Sequence, residues 1–417
     1  MLSTVQIVSG DDDKPWSRDD RMCVKEIRTE HKLNDPTTFS ILMFDVPGSD
    51  GKRHRLLEKG SKVAVLVRPQ TKGSWQVLFQ GKVSEIDEQH TQGGLGSTVL
   101  FRGKDIRTMM AARTHTGSWT GKVDAVMRHL IELDFSEPVV DAPTNNDLVE
   151  DRNPLGQNSN NLDFLTAQAQ AYGHNFWLSY KPIPEDLLNL DTLNPLSDDH
   201  ARVDITPIVH WARSPYFSDS TDGGAVTAGG IVTAIASFAL PILGFDSTGP
   251  IVFKVHLDKQ ACPNVSRFEV VSEGTDIQTM PRESEQPTAL GLPAIPNNPL
   301  APPPTADTPG VHFIAPAVPP AGEDDQINEA LQQERGFNRK VRLSTTVASI
   351  KRLCFPNNLA TFEGVPDSVA NQLFRVREAT HVIRPDAHWI DASLEGDGRE
   401  YNTNPLDALS DLVAGGF

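Results

Sequence analysis

The chain has 417 residues, 38% of them hydrophobic and 22% charged, which is enough for two or three domains with complete cores. Its formal net charge is −17 at pH 7. Sequence-independent binding of nucleic acid needs clustered Lys and Arg that displace counterions from phosphates. The acidic composition therefore disfavours that class of function.

The cysteines and the N-terminus exclude two further classes. Cys23, Cys262 and Cys354 lie far apart and form no Cys-x-x-Cys pair, so neither a disulfide framework nor a cysteine metal site is expected. The first residues contain no basic region and no long apolar run, and residues 11–13 are acidic. We therefore expect no signal peptide.

Residues 1–110 are predicted to form a first antiparallel β-barrel. Between residues 24 and 105 apolar and polar residues alternate as they do in strands, for example around residues 63–67. The alternation places Trp75, Val77 and Phe79 on one face of a strand, and Gln76, Leu78 and Gln80 on the other.

Residues 111–203 are predicted to form helical and α/β connecting subdomains. Apolar residues recur there at helical spacing. Asn160 or Asn161 can cap the second of two helices, and Gly173 can end it. The expected order is a helix at residues 122–133, a polar connector at 141–160, a helix at 162–172 and a strand at 175–180.

Residues 204–400 are predicted to form a second β-barrel with two interruptions. The first is an apolar segment at residues 223–245, and the second is a proline-rich loop at residues 281–320, which holds 12 of the 31 prolines. A packed core cannot form from that composition, so an extended tether with polyproline character is expected. The remaining predictions are a helix near residues 324–335, strands within 340–395 and a C-terminal tail at 401–417, either helical or disordered.

The apolar segment 223–245 has no charge and is about as long as a membrane-spanning helix. Its glycines and Pro241 weaken that interpretation, and no basic residues flank it. Because exposed large apolar side chains are unfavourable in water, we expect burial inside an oligomer, near its axis. Membrane contact is the less favoured alternative.

One β-architecture is predicted to occur twice. Residues 78–86 and 98–105 form a hairpin of alternating strands that ends in Gly and Asp, and residues 373–381 and 389–397 repeat that pattern. The starts of the two copies are also predicted to correspond. Each reads as strand, turn and strand, at residues 24–39 in the first copy and 252–268 in the second.

Sequence motifs for catalysis are missing. There is no HExxH motif, G-x-S-x-G elbow, P-loop or Rossmann glycine pattern, so we predict no catalytic, cofactor-binding or metal-binding residue and no cofactor. His381 lies at the end of a predicted strand, where a structural hydrogen bond is favoured over catalysis. Acidic pairs such as Glu85 and Asp87 are expected to be solvated surface, or the lining of a channel along which an acidic polymer slides.

The order of these features resembles the baseplate hub proteins of contractile phage tails. That group includes phage late control D proteins and the hub part of type VI secretion spike proteins. The resemblance extends over about three quarters of the chain. Its motifs are Gly-Lys-Asp at residues 103–105, the helix at 122–133, residues 161–165, Gly173 with the aromatic strand after it, and residues 374–381 in the second barrel.

The resemblance implies a structural protein and not an enzyme. The implied fold is mainly β with α+β insertions, with two tail-tube-like antiparallel β-barrels and small helical and α/β subdomains. The implied particle is a homotrimer that joins a six-fold tail tube to a three-fold central spike, around a channel for DNA or cargo. Implied partners are the tube protein, the spike protein, other baseplate proteins and the tape measure protein, within a virion or injection-particle baseplate assembled in the bacterial cytoplasm.

Two alternatives remain open at this stage. A tandem-barrel module that binds carbohydrate or protein would expose aromatic platforms, whereas aromatic residues make up 7% of this chain and mostly occupy alternating core positions. A cell-wall hydrolase would need two carboxylates across a cleft. A phage tail and a phage-derived injection system are equally compatible with the sequence.

Overall fold

The structure is a computed structural model that describes residues 5–10, 13–45, 56–69, 74–90, 96–143, 155–183, 203–215, 250–255, 265–272, 337, 339–366, 369–370 and 372–398. Four predicted segments lie outside the described residues. They are the apolar segment 223–245, the proline-rich loop 281–320, the helix at 324–335 and the tail 401–417.

The described residues are mainly β, as predicted. The strands are β1 Val5–Ser9, β2 Lys14–Pro15, β3 Val24–Lys32, β4 Asp35–Phe44, β5 Lys62–Val67, β6 Gln76–Gln89, β7 Thr98–Asp105, β8 Thr114–Trp119, β9 Pro138–Val140, β10 Leu155–Asn160, β11 Asn175–Tyr180, β12 Pro207–Ala212, β13 Ile251–Lys254, β14 Val265–Ser272, β15 Arg339–Thr346, β16 Leu359–Glu363, β17 Phe374–Ile383 and β18 His388–Gly396. The helices are α1 Arg18–Met22, α2 Val123–Glu132, α3 Asn161–Ala171 and α4 Val347–Ile350, with a 3₁₀ helix at Ile106–Ala112.

One 13-stranded sheet contains two copies of the same strand order. We call β1 and β3–β7 the first β-domain, and β13–β18 the second. We number the six strands of each domain along the chain. In both domains the strands then lie side by side in the order second, third, sixth, fifth, fourth, first. A shared order of this length supports the predicted duplication, and both predicted hairpins are present as β6–β7 and β17–β18.

The predicted correspondence at the starts of the copies is wrong. β3 pairs with β4 in a hairpin, but β13 does not pair with β14; it pairs in parallel with β16. β14 pairs instead with β15, across residues 273–338. The counterpart of the β3–β4 hairpin is therefore β14–β15, and the proline-rich segment lies between its two strands.

Irregularities in the strands fall at equivalent points. The pairing of β6 with β7 skips Ser84, and the pairing of β17 with β18 skips Arg377. The pairing of β3 with β4 skips Lys25, and the pairing of β14 with β15 skips Ser266. A β-bulge bends its strand and changes the local twist, so these matched bulges show that the duplication extends to the shape of individual strands.

The turn before the fourth strand is also repeated. The backbone N–H of Gly60 donates to the carbonyl of Val83 at 2.7 Å, and that of Asn357 donates to the carbonyl of Val376 at 2.9 Å. Gly60 and Asn357 have φ values of 92° and 66°. Glycine and asparagine are the residues that adopt this left-handed conformation most readily.

A bulge corrects the predicted faces of β6. Val65 pairs with Phe79 and Leu66 pairs with Val77, so Leu78 is skipped. Trp75 and Val77 consequently pack outward against the connecting region, while Leu78 and Phe79 both enter the main core. Sequence alternation predicted Trp75, Val77 and Phe79 on one face, which fails because one extra residue in a strand reverses the side on which the following residues lie.

The connecting region packs two helices against a small sheet of order β11-β12-β9. α2 and α3 lie within one residue of their predicted bounds. The Asn160 side chain accepts from the N–H of Asp163 at 2.9 Å and so caps α3, and Gly173 follows the helix with φ 64°. Residues 207–212, assigned to the second barrel by the predicted boundary at residue 204, pair as β12 with β11 and β9 instead.

Candidate assembly interface

A continuous seam joins the two β-domains of the chain. The second half of β17 pairs antiparallel with β3, from Glu378 opposite Lys32 to Ile383 opposite Ile27. The first half of β17 pairs with β16 inside its own domain. The bulge at Arg377 separates these two halves, so the fifth strand of the second domain leaves its own neighbour and continues along the second strand of the first domain.

Three buried histidines lie along this seam. His31 of β3 is within hydrogen-bonding distance of the hydroxyls of Thr29 at 3.0 Å and Thr37 at 3.1 Å. Nε2 of His381 donates to the carbonyl oxygen of Cys354 at 2.8 Å. Because that ring is neutral, its Nδ1 accepts from Nε2 of His388 at 3.0 Å. The structural hydrogen bond predicted for His381 is therefore confirmed.

Burial keeps this histidine cluster uncharged. Desolvation lowers the pKa of His381 to about 4, against a small opposing effect of its bond to Cys354. Desolvation also holds the pKa values of His31 and His388 well below the usual range, and the neighbouring His381 lowers both further. Arg107 adds a smaller repulsion at His31. The seam is thus built from imidazoles that are neutral at physiological pH.

A buried ion pair fastens the connecting region to the first β-domain. Asp105 binds Arg107 at 2.7 Å, with side chains 1% and 3% exposed. The same carboxylate oxygen, Oδ2 of Asp105, also accepts from the backbone N–H of Thr37 at 2.6 Å. Arg107 donates to the carbonyl oxygens of Phe176 at 3.0 Å and Asp35 at 2.7 Å. One carboxylate and one guanidinium therefore hold β4, β7 and β11 together.

Two asparagines in the left-handed conformation fix the start of β11 on both β-domains. Oδ1 of Asn34, in the β3–β4 turn, accepts from the backbone N–H of Phe176 at 2.8 Å. Oδ1 of Asn357, before β16, accepts from Asn175 at 3.3 Å and from Ser214 at 3.0 Å. The connecting region consequently touches both domains where they meet.

A second buried ion pair lies just before the bulge of β17. Nε of Arg375 donates to Oε1 of Glu395 at 3.0 Å, and the two side chains are 8% and 5% exposed. The Arg375 guanidinium also lies over the ring of Phe337, 4.3 Å from its centroid. Glu395 in addition accepts from Arg377, the bulged residue, at 3.3 Å. Glu395 of β18 therefore binds both Arg375 and the bulged residue Arg377 of β17.

The outer rims of the sheet lie at the far ends of the two domains. β6 pairs with β5 only as far as Lys82, so among the described strands residues 86–89 pair with β7 alone. In the same described set β14 pairs with β15 alone. The rim of β6 is acidic and exposed, and Arg102 on β7 bridges Glu85 at 3.3 Å and Asp87. No pairing with a second strand covers either rim within this part of the chain.

No group of three or more His, Cys, Asp or Glu side chains among the described residues could hold a metal ion. Likewise, none of the helices described is both long and apolar enough to cross a membrane. Sequence reasoning missed the roles of His31, His388, Asp105 and Arg107, and only the Gly-Lys-Asp motif at residues 103–105 gave a signal near them.

Neither a family model nor a curated protein matches the chain. Among solved structures, a tail protein from Neisseria meningitidis MC58 is 10% identical with a TM-score of 0.49, over 95% of this chain and 97% of that chain. The 43 kDa tail protein of prophage MuSo2 from Shewanella oneidensis is also 10% identical with a TM-score of 0.49, over 95% and 98%. An Escherichia coli component of the type VI secretion system, described as structurally similar to the T4 tail proteins gp27 and gp5, is 8% identical with a TM-score of 0.47, over 92% and 76%.

Proposed function

We propose that this protein is the structural baseplate hub of a contractile tail or of a related injection particle. The observation that carries the proposal is the duplicated strand order, with the two copies joined edge to edge by the β17–β3 seam. A chain of this kind presents two similar β-domains side by side. Three copies in a ring would present six, and such a ring can match a six-fold tube while itself having three-fold symmetry.

The seam supports a hub because it fixes one β-domain on the other. Backbone pairing, the buried histidines and the Asp105–Arg107 pair all lie at or beside it. Polar networks with satisfied hydrogen bonds specify one arrangement of the groups they join. A hub that sets the geometry of a tube needs this fixed spacing between adjacent domains.

The same proposal names the partners. One end of the homotrimer would receive the tail tube protein, and the opposite end would seat a central spike protein, with other baseplate proteins around the rim and the tape measure protein in the channel. The chain has a net charge of −17, and Glu and Asp side chains on the inner faces would keep the channel negative, so DNA or acidic cargo would pass without adhering. No catalytic step belongs to this function.

The test combines mass and location. Native mass measurement of the purified chain, at concentrations that span the micromolar range, should show trimers. Imaging of the native particle should place the chain on the axis between tube and spike. A chain that stays monomeric with and without the tube protein, or that lies away from the baseplate axis, contradicts the proposal.

A further inference from the structure

We propose that two copies of the chain join by antiparallel pairing of residues 86–89 on β6, and of His90 directly after it, with residues 268–272 on β14 of the next copy, with Gln89 opposite Glu269. This inference rests on the proposed trimer and specifies its contact. The chain already contains a template for such a junction, because the fifth strand of the second domain pairs with the second strand of the first. The counterpart would join the fifth strand of the first domain, β6, to the second strand of the second domain, β14.

The matched bulges show which residues of β6 and β14 correspond to the paired residues of the seam, and so predict the register of the new contact. Ser84 of β6 and Arg377 of β17 are the skipped residues of the fifth strands, so Gln89 corresponds to Val382. Lys25 of β3 and Ser266 of β14 are the skipped residues of the second strands, so Glu269 corresponds to Arg28. Within the seam Val382 lies directly opposite Arg28. The equivalent pair between copies is therefore Gln89 with Glu269.

Each of these two strand edges has no second neighbouring strand among the described residues. Within the described part of the chain, residues 86–89 pair only with β7 and β14 pairs only with β15. Gln89, Glu269 and Val270 are exposed. A strand edge with no second neighbouring strand can add one through backbone N–H and C=O groups. As in the seam, one of the two rims belongs to the first domain and the other to the second.

Charge disfavours a slip of this register in one direction. With Gln89 opposite Glu269, Glu88 lies opposite Val270 and His90 opposite Phe268, so no like charges oppose each other at these positions. A slip by one residue in that direction would set Glu88 against Glu269, and a slip by two would set Asp87 against Glu269. Like charges directly opposite on adjacent strands are destabilising.

The contact is heterologous, because the two joined edges differ. Heterologous contacts give closed rings when the rotation per copy closes, and open filaments when it does not. In a ring of three copies, the intramolecular seam and the intermolecular seam alternate and form six similar junctions. The similarity of the two junctions is what would make a three-fold particle approximate six-fold symmetry.

Disulfide crosslinking tests the register directly. The N–H of Leu33 donates to the carbonyl of Arg377, so, by the alternation of antiparallel pairs, Arg28 and Val382 form a non-hydrogen-bonded pair with close Cα atoms. The double variant Gln89→Cys with Glu269→Cys, in a Cys23→Ser, Cys262→Ser background, should therefore crosslink between chains on mild oxidation. Cys354 can stay, because it is buried. The matched control is Asp87→Cys with Glu269→Cys, which is out of register by two residues on the same face.

A second measurement does not depend on disulfide geometry. Gln89→Lys would face Glu269 and should tighten self-association, whereas Gln89→Glu would place like charges opposite each other and should weaken it, each by up to about five-fold per contact in low salt. Analytical ultracentrifugation measures both. Gln89 is exposed, so neither variant should alter the fold of the isolated chain.

The outcomes separate this contact from the hub itself. Trimers that crosslink through the 89–269 pair and much less through the 87–269 pair support the pairing. Trimers that do not crosslink, or that crosslink better through the control pair, overturn this contact and leave the hub intact. A chain that never assembles overturns the trimer on which the contact rests.

Discussion

His31 and His381 meet edge to face across the seam, with ring centroids 5.6 Å apart, one imidazole from each β-domain. Both rings are enclosed, and His388 extends the cluster on the far side of His381. Protonating any of the three histidines would create a charge in a buried site. Little water reaches the rings, and none of the hydrogen-bond partners described for them is a carboxylate that could stabilise the charge. We therefore expect acid to weaken the link between the two β-domains.

The first prediction is that stability falls as the pH is lowered from about 6.5 to about 4. The unfolded chain takes up protons near the ordinary histidine pKa of about 6.5, whereas folded His381 does so only near 4, so protons favour unfolding across this window. For His381 alone the loss is on the order of 3 kcal/mol at the acid end. Denaturant titrations at several pH values measure it. His381→Gln should flatten the pH dependence, whereas His115→Gln, at an exposed strand position, should not.

The second prediction concerns the buried pair of Arg375 and Glu395. Glu395→Gln leaves a buried guanidinium without its anionic partner, which should lower the free energy of unfolding by about 3–5 kcal/mol. The matched control is Glu30→Gln, because Glu30 pairs with Arg28 at 2.9 Å in an exposed position and the loss should be at most about 1 kcal/mol. Guanidinium unfolding compares the two variants. Equal losses would mean that the buried pair adds nothing beyond a surface contact.

The third prediction tests the close approach of β6 and β7 around Phe39. A Cβ on Gly103 would lie 2.1 Å from the carbonyl oxygen of Lys82 and 2.5 Å from Cζ of Phe39, so backbone as well as side chain must move. Gly103→Ala should therefore destabilise the chain by about 1–3 kcal/mol. A Cβ on Gly156 meets no atom within 4 Å, which makes Gly156→Ala the control. Thermal unfolding that does not separate the two variants would contradict the packing of Phe39 against these glycines.

Local patterns predicted the elements well, because their causes are local. Alternation and turn residues identified the β6–β7 and β17–β18 hairpins, whose strands are close in sequence. Helical spacing and a capping Asn160 located α2 and α3 to within one residue. The fold class follows from the same signals.

Non-local pairing could not be predicted in this way. β13 pairs with β16 and β14 pairs with β15, in each case across a long stretch of chain that carries no pairing signal. The bulge at Leu78 was not predicted either. This part of β6 is buried on both faces and its residues are apolar on both, so the sequence pattern does not change at a skipped residue. The histidine cluster joins residues from β3, β17 and β18, so its members are neighbours only after the two domains meet.

The last prediction is that the proline-rich segment can be shortened without loss of the fold. β14 and β15 pair directly from Val265 to Ser272, and their counterparts β3 and β4 are joined by the short turn at Leu33 and Asn34. Replacing residues 281–320 by a Gly-Ser linker of about eight residues should keep the paired strands, because halving a flexible loop changes its closure cost by only about 0.6 kcal/mol. Circular dichroism and native mass measurement read the fold and the trimer. A full-length variant with residues 281–320 scrambled separates length from sequence. If shortening unfolds the chain while scrambling does not, the loop is needed for its length. If both unfold it, the segment contributes specific contacts to the fold, and its interpretation as a tether is wrong.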